Sequence, residues 1–214
     1  MKPVIIYTLP RTRSSALLEA CKRDVLLREP LDRRLDDATW EKLKTSLNSS
    51  DTCSKFFGSQ VSSDPRAKAW FRGVSDTHDV FILMRDLNEV CYSFLLAKNF
   101  GWGKVTEVEP SEIKITYDDI LSLHFEFERF FQMLPIGGQI ISFETAPSSH
   151  FDFSRITLEN QHSLEKIPRL ANQEAAKNVV SSINRIYGLA WAELWQRASA
   201  NNGGVGERFI PPLC

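Results

Sequence analysis

Short apolar runs alternating with helix-period segments constrain this chain more than any other feature. "PVIIYTL", "DVFILMRD" and "GGQIISFET" are β-branched, apolar and short, the character of strands buried on both faces. Between them the period changes. Leu17, Ala20, Cys21 and Val25 share one helical face, and Ile120, Leu123, Phe127, Phe130, Phe131 and Leu134 share another before "PIGG". Strands separated by helices imply a parallel sheet between helical layers. The expected fold class is therefore α/β, a three-layer α/β/α arrangement with a central, mainly parallel sheet and three core strands. A last long helix is expected to begin with Asn172 as its cap and to turn Ala176, Val179, Val180, Ile183, Tyr187, Trp191 and Leu194 inward. Segments 46–66 and 97–112, richer in Ser, Gly, Pro and charge, read as loops or lids.

At 214 residues and 43% hydrophobic, the chain can bury one sizeable core. We assign residues 1–200 to a single domain and 201–214, "NNGGVGERFIPPLC", to a tail that is mobile unless a ligand orders it. The net charge of -1 removes any global positive field, so neither nucleic acid nor an acidic membrane is expected as a partner, and any anion site must be local. The N-terminal apolar run is too short for a signal peptide and no stretch has the length of a membrane span, so a soluble, cytoplasmic protein is expected. Cys21, Cys53, Cys91 and Cys214 have no metal-ligand spacing and read as reduced thiols. His78, His124, His150 and His162 are equally scattered, and no metal site is expected.

The stretch "TLPRTRSSALLEA" joins the first strand to a helix-like run. If Ser14 or Ser15 opens that helix, the backbone N–H groups of residues 11–16 converge where the helix dipole favours negative charge. Arg11 and Arg13 add cations, while Thr12, Ser14 and Ser15 lie in the same cradle and the serine hydroxyls can donate without adding charge. The plain alternative is a capped helix with surface arginines. The ending lacks the GK[ST] of an ATP or GTP loop. Further along, "FILMRDLNEVCYSFLLA" ends a strand in Arg85 and places Ser93 two helical turns later, able to face the same mouth of the sheet.

With "PRTRSSALL" and "RDLNEVCYS", the chain resembles the sulfotransferases that use 3'-phosphoadenosine 5'-phosphosulfate (PAPS). That family joins a PKSGTTW or PRSxST loop to a later R(N/D)PxxxxxS pattern. The arginine-to-serine spacing is the family's, with Leu87 where proline is usual, Arg13 where a loop glycine is common, and Arg11 in place of the lysine of the cytosolic branch. "LLREPL" matches the segment in which one bacterial and viral-looking branch carries a glutamate base, here Glu29, and "IISFETA" matches a strand end, with Phe143 and Glu144 in the corresponding places. The correspondences span residues 4 to 146; the later "GGVGER" only faintly echoes a glycine-rich closing loop.

The resemblance implies a P-loop NTPase-like fold, PAPS as donor and adenosine 3',5'-bisphosphate (PAP) as product. It also implies an unknown small-molecule acceptor and two anion pockets at one end of the sheet. Arg11, Thr12, Arg13, Ser14 and Ser15 would hold the 5'-phosphosulfate, and Arg85 and Ser93 the 3'-phosphate. Arg11 and Glu29 would be the catalytic pair. Independently of the family, a donor with a 3'-phosphate needs a second anion pocket, which a guanidinium fork and a hydroxyl suit. A loose in-line transfer needs charge stabilisation at the leaving phosphate, and an attacking hydroxyl or amine needs a base. Glu29 can instead pair with Arg28 or Arg33, and Arg85 with Asp86 or Glu89. Two other functions fit the same loop: a small-molecule or nucleotide kinase, and a catalytically silent nucleotide-binding protein. Phe100 and Trp102 can line an acceptor pocket or, equally, pack on the core.

Overall fold

The computed structural model describes residues 1–31, 35–100, 114–156 and 170–200. Five parallel strands form one sheet: β1 (Val4–Thr8), β2 (Val25–Arg28), β3 (Thr52–Phe57), β4 (Asp79–Met84) and β5 (Gln139–Ser142), in the order β2-β3-β1-β4-β5. The helices are α1 (Ser14–Ala20), α2 (Asp37–Leu47), α3 (Gly58–Ser63), α4 (Pro65–Phe71), α5 (Val74–Thr77), α6 (Leu87–Phe100), α7 (Tyr117–Gln132) and α8 (Glu174–Ala200).

The pleat assigns the two faces. Val4 and Ile6 of β1, with Phe81 and Leu83 of β4, meet Leu17 and Leu18 of α1 and Phe151 on one side. Ile5 and Tyr7, with Val80, Ile82 and Met84, face the larger core built by α2, α4, α6, α7 and α8 on the other. The expected three-layer α/β/α architecture is present, and the sheet is parallel throughout. No helix among the described residues is long and apolar enough to cross a membrane.

Two strands lie where none was expected. Val25 does not continue a helical face: α1 stops at Ala20, Cys21 turns extended and bridges Phe151, and Val25 opens β2. As an edge strand, β2 leaves Val25 and Leu26 exposed, so its pattern lacks the buried signature. The segment 46–66, expected as a loop, contains β3, which lies beside the central strand and buries Thr52, Ser54 and Lys55. Its polar composition hid it. The helical faces of α7 and α8 are as expected, with Leu123, Phe127, Phe130, Ile183, Trp191 and Leu194 buried. Helix α8 starts at Glu174, and Gln173 rather than Asn172 precedes it; the Gln173 carbonyl accepts from Lys177 N–H. Cys21, Cys53 and Cys91 are buried free thiols. Cys214, His162, Arg33, Trp102 and the tail 201–214 lie outside the described residues, as does the side chain of Phe100.

Candidate anion site at the carboxyl edge of the sheet

The strand that follows β1 in the chain, β2, is not its neighbour in the sheet: β3 and β2 lie on one flank of β1, β4 and β5 on the other. In such sheets the crevice for ligands opens beyond the strand ends where the connections diverge. Arg11 follows β1 and Arg85 follows β4, adjacent strands at that divide. Their groups touch: Arg85 Nη1 donates to the Arg11 carbonyl at 2.9 Å, and Arg11 Nε donates to Ser93 Oγ at 3.0 Å. Three of the expected site residues, Arg11, Arg85 and Ser93, are thus joined in one network at this edge.

Each strand end contributes. Glu29 follows β2, and its Oε1 accepts from Lys55 Nζ of β3 at 2.7 Å. Lys55 also donates to Ser15 Oγ at 3.1 Å, so the α1 start, β2 and β3 meet at one ammonium. Arg13 reaches past β5, with Nη1 3.4 Å from Glu144 Oε1 and its guanidinium over the Phe143 ring. Arg85 Nε donates to Glu89 Oε2 at 2.7 Å, the pairing that was the plain alternative for this arginine. Glu29 pairs with Lys55 rather than with Arg28, whose partner is Glu19.

The backbone is strained at the same place. Arg11, Arg13 and Glu29 have φ of 72°, 64° and 50°, and they are the non-glycine residues with positive φ among the described residues. A left-handed backbone costs a side-chain-bearing residue of order 1 kcal/mol and persists only where its surroundings hold it. Here the Arg85 fork holds the Arg11 peptide, and α8 in turn fixes β4 through Trp191 Nε1 donating to the Arg85 carbonyl at 2.9 Å.

Electrostatically, Arg13, Arg85 and Lys55 each have a carboxylate, whereas Arg11 has none among the described residues. Burial lowers the Arg11 pKa, and the neighbouring Arg85 charge lowers it further. Burial likewise lowers that of Arg85, against the pull of Glu89. Arg85 Nη2 is buried with no hydrogen-bond partner among the described residues. Burial also lowers Lys55, partly offset by Glu29. The cluster thus holds excess positive charge in a poorly solvated place, which an oxyanion would relieve.

Three details differ from expectation. Thr12 is buried and its hydroxyl lies against the Leu9 carbonyl and the Thr8 hydroxyl, so it pins the loop instead of facing the crevice. Ser14 is buried, and Ser15 is occupied by Lys55. The two anticipated anion pockets form one cluster, because Arg11 bonds directly to Ser93, which is itself buried. Lys55 escaped the sequence reading altogether. Its signal was positional: Lys55 lies within β3 opposite Arg28, the last residue of β2, while Arg11 and Arg85 follow β1 and β4, a grouping of basic residues visible only once β2 and β3 are recognised. No group of three or more potential metal ligands occurs among the described residues. Comparison with models of known families, with curated proteins and with solved structures finds no match to this chain.

Proposed function

We propose that this protein transfers a sulfuryl group from PAPS to a hydroxyl or amine of a small acceptor, releasing PAP. The observation that carries this reading is the Arg11–Arg85 pair: neighbouring guanidinium groups, that of Arg11 half-buried with no carboxylate among the described residues and that of Arg85 buried with an unused nitrogen, at the divide of a parallel sheet. Two close oxyanions on one ligand suit two adjacent guanidiniums better than a single phosphate does. The P-loop kinship of the fold belongs to the same proposal, supported by a central strand that runs into the Arg11–Ser15 turn and α1.

In this reading Arg85 and Ser93 hold the 3'-phosphate, and Arg11 turns from Ser93 toward the 5'-phosphosulfate. There it stabilises the charge that grows on the leaving phosphate as the bond from sulfur to the phosphate oxygen breaks. Lys55, already beside Ser15 at the start of α1, supplies a further cation to that end. The acceptor oxygen or nitrogen forms the new bond to sulfur and passes its proton to Glu29. These cations can carry the donor's charge, so the scheme uses no metal. A cytoplasmic setting, with neither membrane nor nucleic acid as partner, belongs to the same proposal.

The test is calorimetric titration of the full chain with PAP and with ATP. PAP is expected to bind and ATP to bind far more weakly; at 100 times its Kd, PAP should raise stability by about 2.7 kcal/mol. Arg85→Ala and Arg85→Lys should both lose the preference for a 3'-phosphate, the lysine variant because it lacks the planar fork. Equal affinity for PAP and ATP, or none for PAP, would remove the assignment.

A further inference from the structure

The two edges of the sheet differ. Strand β5 buries Ile140, Ile141 and Ser142, whereas β2 leaves Val25 43% and Leu26 39% exposed. Along β2 the peptide groups alternate in direction. Val25 N–H donates to the Asp51 carbonyl at 3.0 Å, so Val25 and Leu27 turn their peptide groups toward β3. Those of Leu26 and Arg28 therefore point out of the sheet, where no hydrogen bond meets them among the described residues. Such an open row is a template for another strand unless the edge is blunted. Strand β2 has no proline and an unbroken register with β3, and its charges stand at its ends.

Those charges select the partner. Asp24 precedes β2, Leu26 lies in its middle and Arg28 closes it, and the period of two puts the three side chains on one face. It is the face covered by α1: Leu26 is in register with Cys53, which packs beside α1, and Arg28 Nη2 donates to Glu19 of that helix. Arg28 keeps Nε and Nη1 for a further acceptor, and its side chain is 59% exposed. Asp24 is exposed and has no ion-pair partner among the described residues.

The segment thus reads acid, apolar, base. Turned antiparallel about an axis at Leu26, a second copy of it sets its Arg28 opposite Asp24 and its Asp24 opposite Arg28. The two Leu26 side chains meet between these pairs, and the two Leu26 peptide groups exchange both their hydrogen bonds. A parallel copy in register would set like charge against like. Directly opposed unlike charges favour a strand pair, and like charges oppose it.

We propose that β2 is a self-association edge: two copies of this chain join antiparallel through Asp24, Leu26 and Arg28, so that their sheets become one. The inference is independent of the sulfuryl-transfer reading. Residues 24–28 span roughly 17 Å of strand, a short seam. The dimer is accordingly expected to have a dissociation constant on the order of 10 µM.

The test is sedimentation equilibrium of the full chain from micromolar to near-millimolar concentration, where the wild type should pass from monomer to dimer. Asp24→Arg, Arg28→Asp and Leu26→Lys should each weaken association at least about tenfold, because each sets like charges across the axis or beside it. Asp24→Arg and Leu26→Lys alter exposed side chains and should keep the monomer's melting temperature. The decisive sample is an equimolar mixture of Asp24→Arg with Arg28→Asp. Each alone should be monomeric, and together they should form a heterodimer, since one copy then carries two bases at these positions and the other two acids. A wild type that stays monomeric throughout overturns the proposal. So does a dimer that survives Asp24→Arg or Leu26→Lys, or a mixture of the two folded charge variants that fails to associate. If Arg28→Asp loses its melting transition through repulsion by Glu19, the other two variants decide the matter.

Discussion

Lys55 carries an ammonium into the sheet, with a side chain only 3% exposed, and Glu29 is its carboxylate. Removing one member of a buried pair leaves the other desolvated and uncompensated, at a cost of several kcal/mol when both are buried. Glu29 is 37% exposed, so water screens part of that loss. We expect Glu29→Gln to destabilise the protein by about 1–2 kcal/mol in urea unfolding, discounted for that exposure. The double variant Glu29→Gln/Lys55→Met should recover most of the loss, because the orphaned charge is gone. Additive losses would show that the pair is not coupled. The same cycle bears on mechanism: if Glu29 is the base, the double variant recovers stability and still fails to transfer sulfate. Both candidate catalytic residues, Arg11 and Glu29, were legible as residues. Their strained backbones and their partners were not, since φ and contact depend on what surrounds a residue.

At the scale of elements, α3 and α7 meet more closely than side chains allow. A Cβ on Gly58 would fall inside contact distance of the backbone of Arg129 and Phe130, which cannot swing aside as a side chain could. Tyr7 fixes the same junction from below, its hydroxyl donating to the Phe130 carbonyl at 2.7 Å and its ring stacked on Phe130. Gly58→Ala should therefore force α3 away from α7 and cost about 2 kcal/mol, in the range of overpacked cores. Equilibrium unfolding would read this as a lowered denaturant midpoint, and an unchanged midpoint would contradict the close approach. The apolar strands β1, β4 and β5 could be read from composition alone. Strand β3 could not, because its Thr52, Ser54 and Lys55 are polar residues buried by their neighbours.

For the whole molecule, one cross-link outside the sheet sets a pH limit. Asp64 caps α4 and binds Arg66, which reaches back to Asp37 and the Leu35 carbonyl, tying the start of α2 to α4. The hydrogen bond from the Arg66 side chain holds the Asp64 carboxyl down at about 2. An unfolded aspartate titrates at about 3.9, so the unfolded chain takes up the proton first as pH falls. The stabilisation is complete above that value and is lost as pH drops toward the folded value. Melting temperatures recorded between pH 5 and pH 2 should fall more steeply in the wild type than in Asp64→Asn, which keeps the cap and lacks the titration. Parallel slopes would discount the link.

The sequence alone determined the layered α/β class, because the periods of 2 and 3.6 are local properties of the chain. It also singled out Arg11 and Arg85, whose positions after apolar runs need no knowledge of neighbours, and Glu29 through the family resemblance alone. Only the tertiary structure decided the strand order, the burial of Lys55, the inward turn of Thr12 and the merging of two expected anion pockets into one cluster. The reason is physical: hydrogen bonding between distant strands and the desolvation of a charge depend on groups brought together from far along the chain, and those distances are not written in local order.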